Sequence, residues 1–290
     1  MMSTNRRVGR PKQTGWVVAS HNLMHGVRLE ALVPHYLALR QTEGLDLLCL
    51  QEDRYVGAGL AGGGERPSDR IQAALGERHR PDRYRVVRRD DCPGLAFIYD
   101  GATLRCASQG VVPLPRLQSL SWFEKRYILG GRTKQKYVLL ASMEPFGGGP
   151  AFTATCFHLD TAGGNAHRLS QVRAIAEALQ ARGLDRRLVA CGDTNAFAWR
   201  RQAAALDRLL APLAALGAVD PGTRPTHFFA RQNEPKLPHQ IGVLLGKLGL
   251  DLPRRYDVVC ANLPVGRRGQ VPTPGSDHDL VWAALQASSG

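Results

Sequence analysis

The run Leu188-Val189-Ala190-Cys191-Gly192-Asp193-Thr194-Asn195 decides how the rest of this chain is read. Four apolar residues without a polar interruption describe a strand buried on both faces, and Gly192 is expected to turn the backbone sharply as that strand ends. Asp193 and Asn195 follow two residues apart, so on extended backbone their side chains leave on the same side. A carboxylate beside an amide suits a divalent metal, a phosphate, or both. The same two residues also make an ordinary turn after a core strand.

Other apolar runs end in the same way, and that repetition favours chemistry over a simple turn. Trp16-Val17-Val18-Ala19-Ser20 delivers His21 and Asn22 to a strand edge. Leu47-Leu48-Cys49-Leu50 ends in Gln51-Glu52, a carboxylate that is costly to bury without a metal or a basic partner. A strand over 151–157 ends in His158-Leu159-Asp160. Tyr256-Asp257-Val258-Val259-Cys260 carries a charge inside a strand, which also calls for a partner. After a Gly/Pro loop, Ser276-Asp277-His278 opens a last strand through Leu280-Val281-Trp282.

Between these runs lie helices and further strands. Leu29, Leu32, Val33, Tyr36, Leu37 and Leu39 have helical spacing, with Pro34 placed early or at a kink and Gly44 as the stop. Ser68 is a suitable N-cap for a short helix to Leu75, after a glycine-rich loop over 56–67. Strands are expected over 84–87, 95–99 and 136–143, and strands with a substantial loop between them over 104–127, which contains Trp122-Phe123-Glu124-Lys125-Arg126. A helix over 165–182 presents Leu169, Val172, Ile175, Ala176 and Leu179 inward, leaving Arg168 and Arg173 off that stripe. Another helix spans 200–216. Residues 231–255 resemble an amphipathic insertion, readable as a lid, a membrane-surface helix or a cover on the core.

Composition sets the outer bounds. With 290 residues, 43% hydrophobic and 22% charged, the chain reads as one globular domain over 16–287 behind a basic tail at 1–15. No apolar run is long enough to span a bilayer and no secretory h-region opens the sequence, so a cytoplasmic location is expected. The cysteines sit in apolar runs rather than in a disulfide or zinc pattern, which fits reduced thiols. The net charge of +13 favours anionic partners, nucleic acid or an acidic membrane surface, although the excess of arginine over lysine is also what a sequence-wide bias produces.

In their order along the chain, Asn22, Gln51-Glu52, His158, Gly192-Asp193-Thr194-Asn195, Tyr256-Asp257 and Ser276-Asp277-His278 resemble the endonuclease/exonuclease/phosphatase superfamily, the deoxyribonuclease I-like fold. The resemblance runs from about Trp16 to Trp282. It implies an α/β (α+β) architecture, a four-layer αββα sandwich of two mixed β-sheets with helices on the outside. It also implies a Mg2+ or Mn2+ ion held by Glu52 with Asn22 beside it and Asp277 completing the site. His278 would be the general base, Asp257 would orient its imidazole, Asp193 and Asn195 would position nucleophile and phosphoryl oxygens, and His158 would donate to the phosphate or the leaving oxygen. Asp90 and Asp91 are the candidates to orient His158, and Tyr256 stands where many members carry Ile or Leu. The expected activity is metal-dependent phosphoester hydrolysis, foremost a phosphodiesterase on nucleic acid. The alternatives are a phospholipid, phosphoinositide or small-molecule phosphoesterase, and a catalytically silent binding module on the same scaffold.

Overall fold

A computed structural model describes residues 15–286, apart from 27, 55–64, 77–79, 123, 125–132, 199, 223, 229–230, 232–243 and 245–252. The basic tail before residue 15, most of the glycine-rich loop, most of the 122–126 cluster and nearly all of the 231–255 insertion lie outside the described residues.

Two mixed sheets form the centre of the molecule. The first contains β1 (Gly15–Asn22), β2 (Leu45–Asp53), β3 (Tyr84–Arg88), β4 (Gly94–Asp100), β10 (Val265–Val271) and β11 (Leu280–Gln286), in the order β10-β11-β1-β2-β4-β3. The second contains β5 (Leu104–Pro113), β6 (Tyr137–Pro145), β7 (Phe152–His158), β8 (Leu188–Asp193) and β9 (Asp257–Ala261), in sequence order. Helices α1 (Leu29–Thr42) and α2 (Pro67–Leu75) cover the first sheet, and α3 (Gly164–Ala181) and α4 (Gln202–Ala214) cover the second. These are the four layers that the resemblance implies.

The apolar runs explain the layering directly. Successive strand residues face opposite sides, so Leu47 and Cys49 of β2 enter the core between the sheets while Leu48 and Leu50 pack under α1 and α2. In β8, Val189 and Cys191 face the other sheet, and Leu188 and Ala190 face α3 and α4. Six free cysteines follow the same logic, with Cys49, Cys92, Cys156, Cys191 and Cys260 buried as small apolar groups.

Four local expectations are corrected. Gly192 is not a turn but part of β8; a Cβ there would lie 2.4 Å from both the ring and the carbonyl oxygen of Phe157, so glycine is required by close packing between β7 and β8. Ser68 is not the N-cap of α2, because that helix begins at Pro67; the side chain of Asp53 at the end of β2 accepts from the Ser68 N–H and hydroxyl, both at 2.8 Å. Residues 265–271 form a strand where a Gly/Pro loop was expected. Its Gly-Arg-Arg-Gly-Gln interior shows no apolar alternation because β10 is a sheet edge, bonded only to β11. Arg168 does not lie on the exposed side of α3 but is buried, and its Nε donates to the Asn195 carbonyl at 2.7 Å.

Candidate active site

Strand direction gathers the polar ends. β1 and β2 are parallel neighbours, as are β7 and β8, so Asn22, Glu52, His158 and Asp193 all leave at one edge of the paired sheets. β9 and β11 run antiparallel to their neighbours β8 and β1, which brings their first residues to that same edge. Asp257 is paired with Asp193 in register, and Ser276, Asp277 and His278 immediately precede β11.

The backbone is irregular at two of these positions. A register shift between Gln51 and Asp53 marks a β-bulge at Glu52, whose φ is +61°. The bulge re-aims this one side chain while Gln51 reaches Cys156 in the core and Asp53 caps α2. Asn195 has φ +47°, and its N–H donates to Asp193 Oδ1 at 2.8 Å. Strain of this kind costs of order 1–3 kcal/mol per residue and persists only where the surroundings hold it.

A connected set of short distances ties the predicted residues together. Asp257 Oδ2 lies 2.8 Å from His278 Nδ1, and His278 Nε2 lies 3.8 Å from Asp193 Oδ2 and 3.8 Å from Asp277 Oδ1. His158 Nε2 lies 3.6 Å from Asp193 Oδ2 and 4.0 Å from Glu52 Oε1. Asn22 donates through Nδ2 to Asp193 Oδ2 at 2.9 Å and accepts from the Met24 N–H, so its nearest task is to orient Asp193. Asn195 donates through its side chain to the Leu159 carbonyl at 3.0 Å. The corner before β11 is fixed by the Ser276 hydroxyl, which donates to the Asn22 carbonyl and accepts from the His278 N–H.

The expected acidic partners of His158 are elsewhere. Asp90 pairs with Arg66 and Asp91 with Arg89, both carboxylates being exposed on the β3–β4 turn, so neither orients His158. The carboxylates that face His158 are Asp193 and Glu52. His21 does not enter the site either. Its ring turns under α1, with Nδ1 2.5 Å from the Tyr36 hydroxyl, and burial pushes its pKa down to about 3.

Burial and charge divide the two site histidines. Burial would lower the pKa of His278, but the carboxylates of Asp257, Asp277 and Asp193 outweigh it and hold the group well above its ordinary value. Burial, reinforced by the Lys136 ammonium, holds His158 well below its ordinary value. Asp193 itself is lowered despite burial, through His278, His158 and hydrogen bonds from Asn195 and Asn22.

Sequence reasoning missed four contributors. His25, at φ +59°, places Nδ1 3.2 Å from Glu52 Oε2. Thr226 accepts from the N–H groups of Tyr256 and Asp257 and so fixes the start of β9. His227 places Nε2 3.2 Å from Asp277 Oδ2, with its ring 4.7 Å from that of His278. Lys136, one residue before β6, is half-buried among the charges of Asp160, Glu52 and Asp193, which favour its ammonium while burial lowers its pKa. A lone lysine beside a strand gives no local signal, and the histidines become site residues only through chain segments far from them in sequence.

Glu52 and Asp193 both face His158, and Asp193 and Asp277 both face His278, so these carboxylates offer the oxygen donors that hard divalent cations prefer. Among the described residues, two sets of side chains have ligand atoms close enough to share an ion, His227 with Asp277 and His278, and Asp193 with Asp257 and His278. Of the predicted ligands Asp277 stands in one of these sets, which fit a divalent cation, while Glu52 and Asn22 stand in neither.

A two-sheet sandwich with carboxylates, imidazoles and amides converging on one edge defines the architectural class, and solved structures share it. The endonuclease/exonuclease/phosphatase from Bacteroides vulgatus superposes with a TM-score of 0.63 at 14% identity, covering 95% of this chain and 100% of that one. D. rerio TDP2, complexed with a single strand DNA product, gives 0.61 at 12% identity over 94% and 100%. The mannosyl-6-phosphatase Bt3783 of Bacteroides thetaiotaomicron gives 0.58 at 14% identity over 93% and 99%. The chain thus has the fold of the endonuclease/exonuclease/phosphatase proteins. No family model and no curated protein sequence matches it.

Proposed function

We propose that this chain is a metal-dependent phosphoester hydrolase, acting as a phosphodiesterase on nucleic acid. One observation carries the reading. The His278–Asp257 pair opens onto the same carboxylate, Asp193, that faces His158 and Glu52, so a base, an orienting acid and a cation ligand address one small volume.

In this reading Asp257 keeps the proton on His278 Nδ1 and leaves Nε2 to take a proton from the attacking water. Asp193 lies within reach of that water and is held in place by Asn22 and by the Asn195 N–H. His158, kept neutral by burial, serves as a neutral N–H donor to a phosphoryl or leaving oxygen rather than as a charged acid. Lys136 supplies a cation facing the same centre. Glu52, Asp193 and Asp277 would hold Mg2+ or Mn2+, which would polarise the phosphoryl group and offset the carboxylate charge that otherwise raises His278. The net charge of +13 supports a polyanionic substrate, since it accelerates encounter with a phosphate backbone.

Plasmid DNA, single-stranded DNA and RNA incubated with Mg2+ or Mn2+ test the proposal, alongside a phosphomonoester panel that includes hexose phosphates. Cleavage of nucleic acid that is lost in Glu52→Ala and His278→Ala is expected. Turnover of monoesters alone would replace the nucleic-acid reading by a small-molecule phosphatase. Absence of any turnover by the wild type would overturn the hydrolase reading.

A further inference from the structure

Tyr256 is the least accounted-for side chain at this edge. It precedes β9 and is held by its carbonyl, which accepts from both the N–H and the hydroxyl of Thr194 at 2.9 and 2.8 Å. Its own N–H donates to the Thr226 hydroxyl oxygen at 3.0 Å. The ring packs 4.7 Å from that of His227 at an angle of 31°, and its centroid lies 6.2 Å from the His278 ring. The residue is only 6% exposed, yet its phenol oxygen makes no hydrogen bond to any described residue. A buried tyrosine normally finds a partner for its hydroxyl.

The charges that act on that hydroxyl identify what it can meet. The charges of Asp193 and Asp277 act on the phenol, and so, with opposite sign, do those of Arg254 and Arg168. Arg254 is 7% exposed, stacks its guanidinium 5.2 Å over the Phe197 ring, and has Nε and Nη2 without hydrogen-bond partners. Arg168 is 4% exposed, and its Nη1 has none. Two buried cations with N–H groups unspent, acting on the same hydroxyl, favour an anion beside it. A neutral O–H in their field would meet an anionic oxygen as a donor.

We propose that Tyr256 is a further catalytic residue, whose hydroxyl beside the His278 ring donates a hydrogen bond to a non-bridging oxygen of the substrate's phosphoryl group, with Arg168 and Arg254 as positioning cations. The role rests on the phosphoester reading above and deepens it. Burial together with the charge of Asp193 keeps the phenol protonated across the whole range in which the protein would work. The hydroxyl therefore acts as a donor and not as a base. As charge builds on the non-bridging oxygens a fixed donor strengthens, so its removal should fall on kcat more than on KM.

The test is Tyr256→Phe in the full chain, which keeps the ring that packs on His227 and deletes one oxygen. Thermal melting confirms the fold, and two readouts follow: steady-state hydrolysis of bis(p-nitrophenyl) phosphate with Mg2+ or Mn2+, and calorimetric binding of inorganic phosphate. The expected result is a fall in kcat of roughly 30- to 100-fold with KM changed less than threefold, and phosphate affinity reduced about tenfold. A purely structural tyrosine would move the melting temperature and leave the ratio of kcat to KM effects unskewed. If wild type hydrolyses no ester but binds phosphate more tightly than Tyr256→Phe, the donor role stands and the hydrolase reading falls. If both proteins turn over and bind phosphate alike within twofold, the donor role is overturned and the hydrolase reading survives. Failure of the wild type to bind phosphate at all overturns both.

Discussion

Replacing Asp257 by Asn removes a proton acceptor from the candidate site while leaving its shape nearly unchanged. Asp257 Oδ2 lies 2.8 Å from His278 Nδ1, and its other oxygen, Oδ1, is buried without a hydrogen-bond partner among the described residues. In the Asn variant an amide that presents its N–H groups to Nδ1 takes the place of that acceptor. That places the imidazole proton on Nε2, where a base must have a lone pair. The charge that chiefly raises His278 also disappears, so its affinity for the water's proton falls. A buried Asp behind a catalytic His is worth roughly 10^4-fold in kcat in the serine-protease case, about 5.4 kcal/mol of barrier, and a comparable loss is expected here. KM should change less than about threefold, because Asp257 is buried and cannot touch substrate. Steady-state hydrolysis of bis(p-nitrophenyl) phosphate measures both constants, and thermal melting checks folding. An Asp257→Asn protein that melts normally and retains more than about a tenth of wild-type kcat would refute the base assignment and the dyad with it.

Further outcomes follow from other features. Lys136→Met should raise KM about tenfold with kcat changed less and the melting temperature unchanged or higher, since a desolvated charge is removed; an unaltered KM would detach Lys136 from phosphate binding. Gly192→Ala should destabilise the fold by at least about 2 kcal/mol in urea titrations, because the new methyl meets Phe157 backbone as well as its ring, and a neutral result would contradict the close packing of β7 on β8. Asp46 accepts from the Val17 N–H and the Thr103 hydroxyl, and burial raises its pKa from 3.8 to about 6. A raised carboxyl favours the fold while protonated, so its contribution is full below pH 3.8 and is lost as pH rises through 6, by about 3 kcal/mol. The stability of Asp46→Asn relative to wild type should therefore improve between pH 4 and pH 7 in denaturant titrations; a pH-independent difference would show the carboxyl unperturbed.

Much of the fold is written in local sequence. Runs such as 47–50 and 188–191 are apolar at every position, and such runs suit strands covered on both faces. Their helices follow from spacing, and the predicted 165–182 helix is α3 within a residue at each end. β10 was not legible because an edge strand needs no apolar alternation, and the Asp53 cap on α2 comes from a residue 14 positions before that helix begins.

Sequence by itself determined which polar residues stand at the ends of buried strands: Asn22, Glu52, His158, Asp193, Asn195, Asp257, Asp277 and His278. Strand ends are set by where local hydrophobicity stops, and that is written in neighbouring residues. Tertiary structure alone decided their company. The bulge that turns Glu52, the amide of Asn22 on Asp193, the rings of His227 and Tyr256 beside His278, and the charge of Lys136 all join segments tens to hundreds of residues apart. Such contacts depend on the relative placement of two sheets, a property of the packed core as a whole that no local window of sequence contains.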